Sequence, residues 1–383
     1  MFSFDHQPRT RIVCGPHKVD ALGELARELG ARRVMIVSDP GIVAAGHTPR
    51  GIAALERVGL ETRLFDGVTE NPTTDNVDAG VAVAKDFYPD LFVGLGGGSS
   101  MDCAKGINFV YSCGGRMQDY WGVGKAKGAM LPMIAVPTTA GTGSEGQSFA
   151  LISDAETHVK MACGDPKAAC RIAVLDPTLT VTQPRTVTAL TGIDAIAHAI
   201  ETYVTTRRNA VSLLFSREAW RLLKENFSRV LDEPSNLDAR SGMQLGACFA
   251  GLAIENSMLG ATHALANPLT AEYGIVHGQA IGLMLPHVIR FNGADHPGWY
   301  HELLEAVAGS NGAPPPSTGP NGLAGLVAEL AMRAGLPTRL SEFDVERSRL
   351  PQLAADAAKQ WTAGFNPRKV NERDLLALYE AAW

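Results

Sequence analysis

Short apolar runs closed by polar turns alternate, through the first half of the chain, with longer stretches in which apolar residues recur every three to four positions. Runs of the first kind predict strands and stretches of the second predict helices, so their alternation predicts an α/β sheet. Arg11 to Cys14 reads as a strand closed by Gly15-Pro16, and Val19 to Leu29 as a helix. Arg33 to Val37 reads as a second strand, ending in Ser38-Asp39-Pro40-Gly41. The pattern repeats with a helix over Ile52 to Val58, a strand at Thr62 to Phe65, a turn at Asn71-Pro72-Thr73 and a helix from Asn76 to Lys85. Asp90 to Leu95 and Leu131 to Val136 follow as buried strands.

Beyond Leu175-Asp176-Pro177 the glycine-punctuated strands give out and helical periodicity takes over. Helices are expected over Val187 to Val204, Val211 to Leu222, Ser241 to Ala266, His277 to Phe291 and Leu323 to Ala334, with Pro286 expected to kink or break the fourth. The boundary falls near Pro184. An α/β dinucleotide-binding domain would occupy residues 1–184 and an all-α metal-binding and catalytic domain residues 185–383. Gly312 to Pro320 is rich in proline and small residues and reads as an exposed loop.

A chain of 383 residues, 45% hydrophobic and 19% charged, can bury two cores. Its net charge of -6 and lack of a Lys/Arg cluster argue against a nucleic-acid surface. The first residues carry no basic segment before an apolar run, and no apolar run nears the ~18 residues of a membrane span, so a cytoplasmic protein is expected. Six cysteines form no Cys-x-x-Cys pair and read as reduced, mostly buried thiols.

Two polar, glycine-rich loops follow buried strands, where ligands collect in open α/β sheets. Gly96-Gly97-Gly98-Ser99 lets backbone N–H groups approach a phosphate at a helix N-terminus; a tight strand-to-helix turn accounts for the same residues. Gly94-x-Gly96-x-x-Ser99 imitates the dinucleotide fingerprint with serine in place of the third glycine. Asp39 can accept from a ribose 2'-OH and repel a 2'-phosphate, which favours NAD, or can be an ordinary turn aspartate. Pro137 to Glu145 offers the hydroxyls of Thr138, Thr139, Thr142 and Ser144.

The chemistry lies in the second half. Asp194 and His198 stand one helical turn apart on one face, and His263 and His277 follow 14 residues apart. Three imidazoles and one carboxylate suit Fe2+ or Zn2+ and leave a coordination position for a substrate oxygen. Ordinary core or surface histidines are the alternative that spacing alone leaves open.

Taken together these motifs resemble the iron-containing, or group III, alcohol dehydrogenases. The resemblance runs from Gly15-Pro16 through Gly-Gly-Gly-Ser-x-x-Asp102, the Pro137 to Glu145 loop, Asp176-Pro177, Gly192 to Glu201, His263, His277-Gly278 and Pro286-His287-Val288 to Asn366-Pro367-Arg368. It implies a dehydroquinate synthase-like fold with the cofactor between its two domains, and metal ligation by Asp194, His198, His263 and His277. It implies NAD contacts at Asp39, Gly96, Gly97, Gly98, Ser99, Asp102, Thr138, Thr139, Thr142, Lys160 and Leu179, and a substrate-pocket position at Phe149. A homodimer or higher homo-oligomer is expected.

The activity so implied is hydride transfer between nicotinamide and a small primary alcohol or diol, with Fe2+ or alternatively Zn2+ as Lewis acid. A glycerol-dehydrogenase-like polyol enzyme, a dehydroquinate-synthase-like lyase and a non-catalytic dinucleotide or metal sensor are the competing readings. Some relatives carry a histidine where this chain has Asn267, and an amide cannot relay a proton by titrating near neutral pH.

Overall fold

The computed structural model describes residues 4–307 and 318–383, and all structural statements concern these residues. Most of Gly312 to Pro320 lies outside them. The chain divides into two compact units, Gln7–Gln183 and Pro184–Trp383, with the segment ending at His6 belonging to the second.

In the first unit β-branched and apolar runs form six parallel strands: β1 (Arg11–Cys14), β2 (Arg33–Val37), β3 (Glu61–Phe65), β4 (Leu91–Gly96), β6 (Met133–Pro137) and β9 (Ile172–Leu175). Their order is β1-β9-β6-β4-β2-β3. Alternation along each strand supplies two cores, one on each face. Val34, Ile36, Leu91, Val93, Leu95, Ile134 and Val136 pack in one cluster, while Met35, Val37, Phe92, Met133 and Ala135 pack in the other. The layers are filled by α1 (Leu22–Glu28), α2 (Pro40–Ala44), α3 (His47–Glu56), α4 (Thr74–Phe87) and α5 (Gly98–Cys113).

A second sheet escaped the sequence reading. Its strands β5 (Gly122–Val123), β7 (Phe149–Ser153) and β8 (Lys160–Gly164) run in the order β5-β8-β7, with β7 and β8 antiparallel. β5 is two residues long, and β7 (Phe-Ala-Leu-Ile-Ser) and β8 (Lys-Met-Ala-Cys-Gly) are five-residue runs poor in β-branched residues. The expected helix Val19 to Leu29 begins as a 3-10 turn, Lys18–Ala21, before α1.

The second unit is helical throughout: α6 (Arg185–Val204), α7 (Ala210–Asp232), α8 (Leu237–Asn256), α9 (Ala261–Tyr273), α10 (His277–Gly293), α11 (Pro297–Glu305), α12 (Gly319–Arg333), α13 (Leu350–Ala358) and α14 (Glu372–Ala382). Two expectations are corrected here. The single helix over Ser241 to Ala266 is two, α8 and α9, because Ser257 and Gly260 leave helical backbone angles. Apolar residues continue through the break, so periodicity does not report it. Pro286 neither breaks nor ends α10, which continues for seven residues beyond it. One missing N–H is tolerated because α10 is packed on by α6, α9 and α12, and packing overrides propensity. No helix is long and apolar enough to cross a membrane.

Candidate functional site

In the second unit α6 presents Asp194, His198 and Glu201 at i, i+4 and i+7, along one face. His263 lies in the first turn of α9, and His277 is the first residue of α10. Gly278 brings α10 in close: a β-carbon there would lie 2.2 Å from the carbonyl oxygen of Leu190 on α6. Three helices thus converge on one carboxylate oxygen. Asp194 Oδ1 lies 3.4 Å from His198 Nε2, 3.5 Å from His263 Nε2 and 3.7 Å from His277 Nε2.

These separations are long for hydrogen bonds. Each is close to the roughly 3.4 Å that separates two ligand atoms standing about 2.1 Å from one tetrahedral ion. Asp194 Oδ1 and His263 Nε2 are buried without a hydrogen-bond partner, an expensive condition that a cation would relieve. The ligand atoms of Asp194, His263 and His277 all lie within 4.8 Å of one another, and His198 does not join that set. It stacks on His263 instead, with centroids 4.8 Å apart and planes 16° apart. The donor set therefore fits a divalent ion.

Electrostatics agree with the geometry. Burial drives the Asp194 carboxyl upward, but His198, His263 and His277 outweigh it and hold it well below the usual carboxylate range. Burial lowers the His263 imidazole, yet the Glu201 and Asp194 carboxylates prevail and hold it up to about 9. Glu201 Oε2 accepts from His263 Nδ1 at 2.5 Å, and Oε1 accepts from the Thr262 N–H at 2.7 Å. That arrangement keeps a proton on Nδ1 and raises the basicity of the ring, so that Nε2 is the nitrogen that would meet an ion beside Asp194. No role was read for Glu201 in the sequence; the available signal was a carboxylate seven residues after Asp194 on the same helical face.

The first unit gathers its loops at the carboxyl ends of the adjacent parallel strands β2, β4 and β6. The chain leaves β2 for β3 in one direction and β4 for β6 in the other, so a topological switch point lies between β2 and β4. Asp39 stands on one side, where Oδ1 caps α2 by accepting from Ile42 N–H and Oδ2 accepts from Ser100 Oγ at 3.0 Å. Asp39 is thus a turn aspartate that caps a helix at the end of β2. Gly96, at φ 153°, stands on the other side; a β-carbon there would collide with Ser100 and approach Asp39. Gly97 caps α5 and Gly98 opens it, while Ser99 Oγ accepts from Asn71 N–H at 3.3 Å.

Thr138 N–H donates to the Gly96 carbonyl, binding the two loops together, and its buried Oγ1 has no hydrogen-bond partner. A β-carbon on Gly98 would meet Thr142, and one on Gly97 would touch Thr139. Asp102 lies behind these loops. Its carboxylate accepts from Ser144 Oγ at 2.6 Å and Leu151 N–H at 3.3 Å, and burial pushes its pKa up. Lys105, missed by the sequence reading, is wholly buried on α5. Its ammonium donates to Ser144 O, Ser144 Oγ and Phe149 O at 2.7, 2.8 and 2.9 Å. A lysine one turn from Asp102 on a glycine-led helix was its sequence signal.

The remaining candidates are more dispersed. Lys160 opens β8, with Nζ 3.3 Å from Asn71 Oδ1. Leu179 is packed into the core of the first unit. Phe149 opens β7 and lays its ring against Gly164. His287 is outside the trio around Asp194, and burial lowers its pKa. Asn267 donates to Gln360 Oε1 at 3.0 Å. His47 is buried, with Nε2 2.7 Å from Thr182 Oγ1. Four of the six cysteines are buried, Cys113 is half-buried and Cys14 is exposed.

Residues 8–177 match the family described as iron-containing alcohol dehydrogenase, and residues 188–383 match the C-terminal part of the same family. The chain is 33% identical to 1,3-propanediol dehydrogenase of Klebsiella pneumoniae over 99% of each chain. A solved structure of 1,3-propanediol oxidoreductase superposes with a TM-score of 0.95 at 32% identity, covering 100% of both chains. Sulfoacetaldehyde reductase of Bifidobacterium kashiwanohense, solved with NAD+, superposes with a TM-score of 0.90 at 26% identity over 100% of this chain and 99% of that one.

Proposed function

The chain belongs to the iron-containing alcohol dehydrogenase family, and from that premise we propose that Asp194, His198, His263 and His277 hold Fe2+ or Zn2+ for hydride exchange between NAD and a small primary alcohol or diol. It is an NAD-dependent, metal-dependent alcohol dehydrogenase, acting as an aldehyde reductase in the reverse direction. The observation that carries the site assignment is one buried carboxylate oxygen met by three imidazole nitrogens at 3.4, 3.5 and 3.7 Å. Kinship with 1,3-propanediol dehydrogenase supports a short alcohol or diol as substrate.

A bound divalent ion supplies Lewis acidity, favouring the deprotonated alcohol in one direction and polarising the carbonyl in the other. This chain's residues supply orientation and proton handling. Glu201 fixes the His263 tautomer, and Asp194 stays ionised. Gly96 to Ser99 and Thr138 to Thr142 present N–H and hydroxyl groups to NAD, the unpartnered Thr138 Oγ1 among them. Asp39, on the strand-end position that accepts from a ribose hydroxyl, gives the preference for NAD. Asn267 cannot titrate, so it would orient water at the site and not itself relay the alcohol proton. Phe149 makes an apolar wall for the substrate, and Lys160 and Leu179 complete the cofactor contacts. Assembly of two or more copies and a cytoplasmic setting belong to the same proposal; light scattering and cell fractionation test them.

The decisive experiment strips metal with a chelator and follows NADH oxidation across an aldehyde panel before and after Fe2+ or Zn2+ is returned. Turnover should vanish and recover, and Asp194→Ala should lose bound metal and on the order of 10³-fold or more in rate. Activity untouched by complete metal removal rejects the proposal.

A further inference from the structure

The closing motif Asn366-Pro367-Arg368 has so far no task in the chemistry. Asn366 follows a 3-10 turn, Trp361–Phe365, and is 3% exposed. Its amide uses all four of its hydrogen-bonding positions. Oδ1 accepts from Ala261 N–H at 3.2 Å and from Asn292 Nδ2 at 3.0 Å. Nδ2 donates to Asn292 Oδ1 at 2.7 Å and to the Arg368 carbonyl at 2.6 Å.

Each partner belongs to a ligand-bearing helix or to the anchor itself. Ala261 is the first residue of α9, two positions before His263, and its N–H is one of those a helix leaves without an internal partner. Glu201 takes the next N–H, that of Thr262. The two acceptors crowd the helix start: a β-carbon on Gly260 would stand 3.0 Å from Asn366 Oδ1 and 3.1 Å from Glu201 Oε1. Asn292, 1% exposed, lies on α10, the helix that His277 begins. Arg368 secures the anchor by donating to Phe291 O at 3.0 Å and stacking on the Phe291 ring.

We infer that Asn366 is a positioning residue for the metal centre, setting the start of α9 against α10 and thereby holding the His263 and His277 nitrogens around Asp194. No other side chain supplies two acceptor and two donor bonds in this space. Aspartate loses both donors and buries a charge, and leucine loses every bond. The cap acts from 105 residues away in sequence, so the C-terminal segment, which carries no ligand, tunes metal affinity.

The inference rests on the metal assignment proposed above, and Zn2+ affinity, measured by competition with a chromophoric chelator, separates the two. Asn366→Ala should weaken Zn2+ binding on the order of 10–100-fold, the range for residues that orient metal ligands. Asn292→Ala, which removes the reciprocal amide pair but spares the Ala261 cap, should weaken it less and carries the test if Asn366→Ala fails to fold. Trp220→Phe is the control: it deletes a buried hydrogen bond to Leu303 O between α7 and α11, in the same unit and away from the ligands. NADH affinity should stay at the wild-type value in all three. Zn2+ affinity in Asn366→Ala or Asn292→Ala within about twofold of that in Trp220→Phe overturns the inference alone. A wild-type chain that binds no Zn2+ or Fe2+ overturns it together with the proposed function.

Discussion

The two units build polar sites by opposite means. In the first, strand ends feed glycine-bearing loops rich in main-chain N–H groups and small hydroxyls, stiffened from behind by Lys105 and Asp102. In the second, long side chains from three separate helices converge on one oxygen, and a carboxylate and an amide fix the start of α9. A loop site is specified within a few consecutive residues and yields by small shifts. A convergent site depends on the mutual placement of whole helices and tolerates little error. Changes behind the loops should therefore alter cofactor binding through stability, whereas changes behind the histidines should alter metal affinity directly.

Lys105→Met should have the largest effect. It leaves two carbonyls and the Asp102 carboxylate without their buried cation, at a cost of about 3–5 kcal/mol. A denaturant titration should show that loss alongside a raised NADH KM, while Zn2+ affinity in the folded protein stays unchanged. A fall in Zn2+ affinity matching the fall in NADH affinity would break the contrast.

Glu201→Gln comes next. The amide oxygen still accepts from Thr262, but the charge that supports His263 is gone, so metal affinity should drop on the order of 10–100-fold with NADH binding intact. Equal losses in the two affinities would show that the sites are not independently built. The smallest effect is expected from Gly98→Ala. Its new methyl meets the Thr142 side chain at 2.6 Å, and because that contact is with a side-chain methyl rather than main chain, the loop should yield. NADH KM should rise only about threefold, under 1 kcal/mol. A hundredfold rise would mean that the loop is as unforgiving as the histidine cluster.

The same contrast explains what the sequence reveals. Five of the six parallel strands, all but β9, are legible because each is a short apolar run followed by a turn, and Val37-Ser38-Asp39 or Leu95-Gly96-Gly97 carries strand, turn and candidate ligand site in three adjacent residues. Asp194 and His198 can be paired because one helix carries both at a four-residue interval. Other features depend on distant partners. Glu201 is one more helical acid until α9 brings His263 to it, and Asn366 is one more amide until α9 and α10 arrive. The split between α8 and α9 hides behind unbroken apolar periodicity, and the small sheet hides because β5, β7 and β8 gain their character from pairing. Pro286 misleads in the other direction, since local stereochemistry predicts a break that three neighbouring helices suppress.

The position of β1 in the large sheet has a consequence for biosynthesis. Its strand neighbour is β9, in the register Arg11↔Ile172, so a segment made before the other strands of the sheet waits until roughly 160 further residues have emerged before it can be zipped into place. Until then the margin of β6 that β9 will cover stays open, inviting pairing with other nascent chains. The unit completes its sheet from the β3 edge across to the opposite one, and β1, though made before the other five strands, is among the last to be secured.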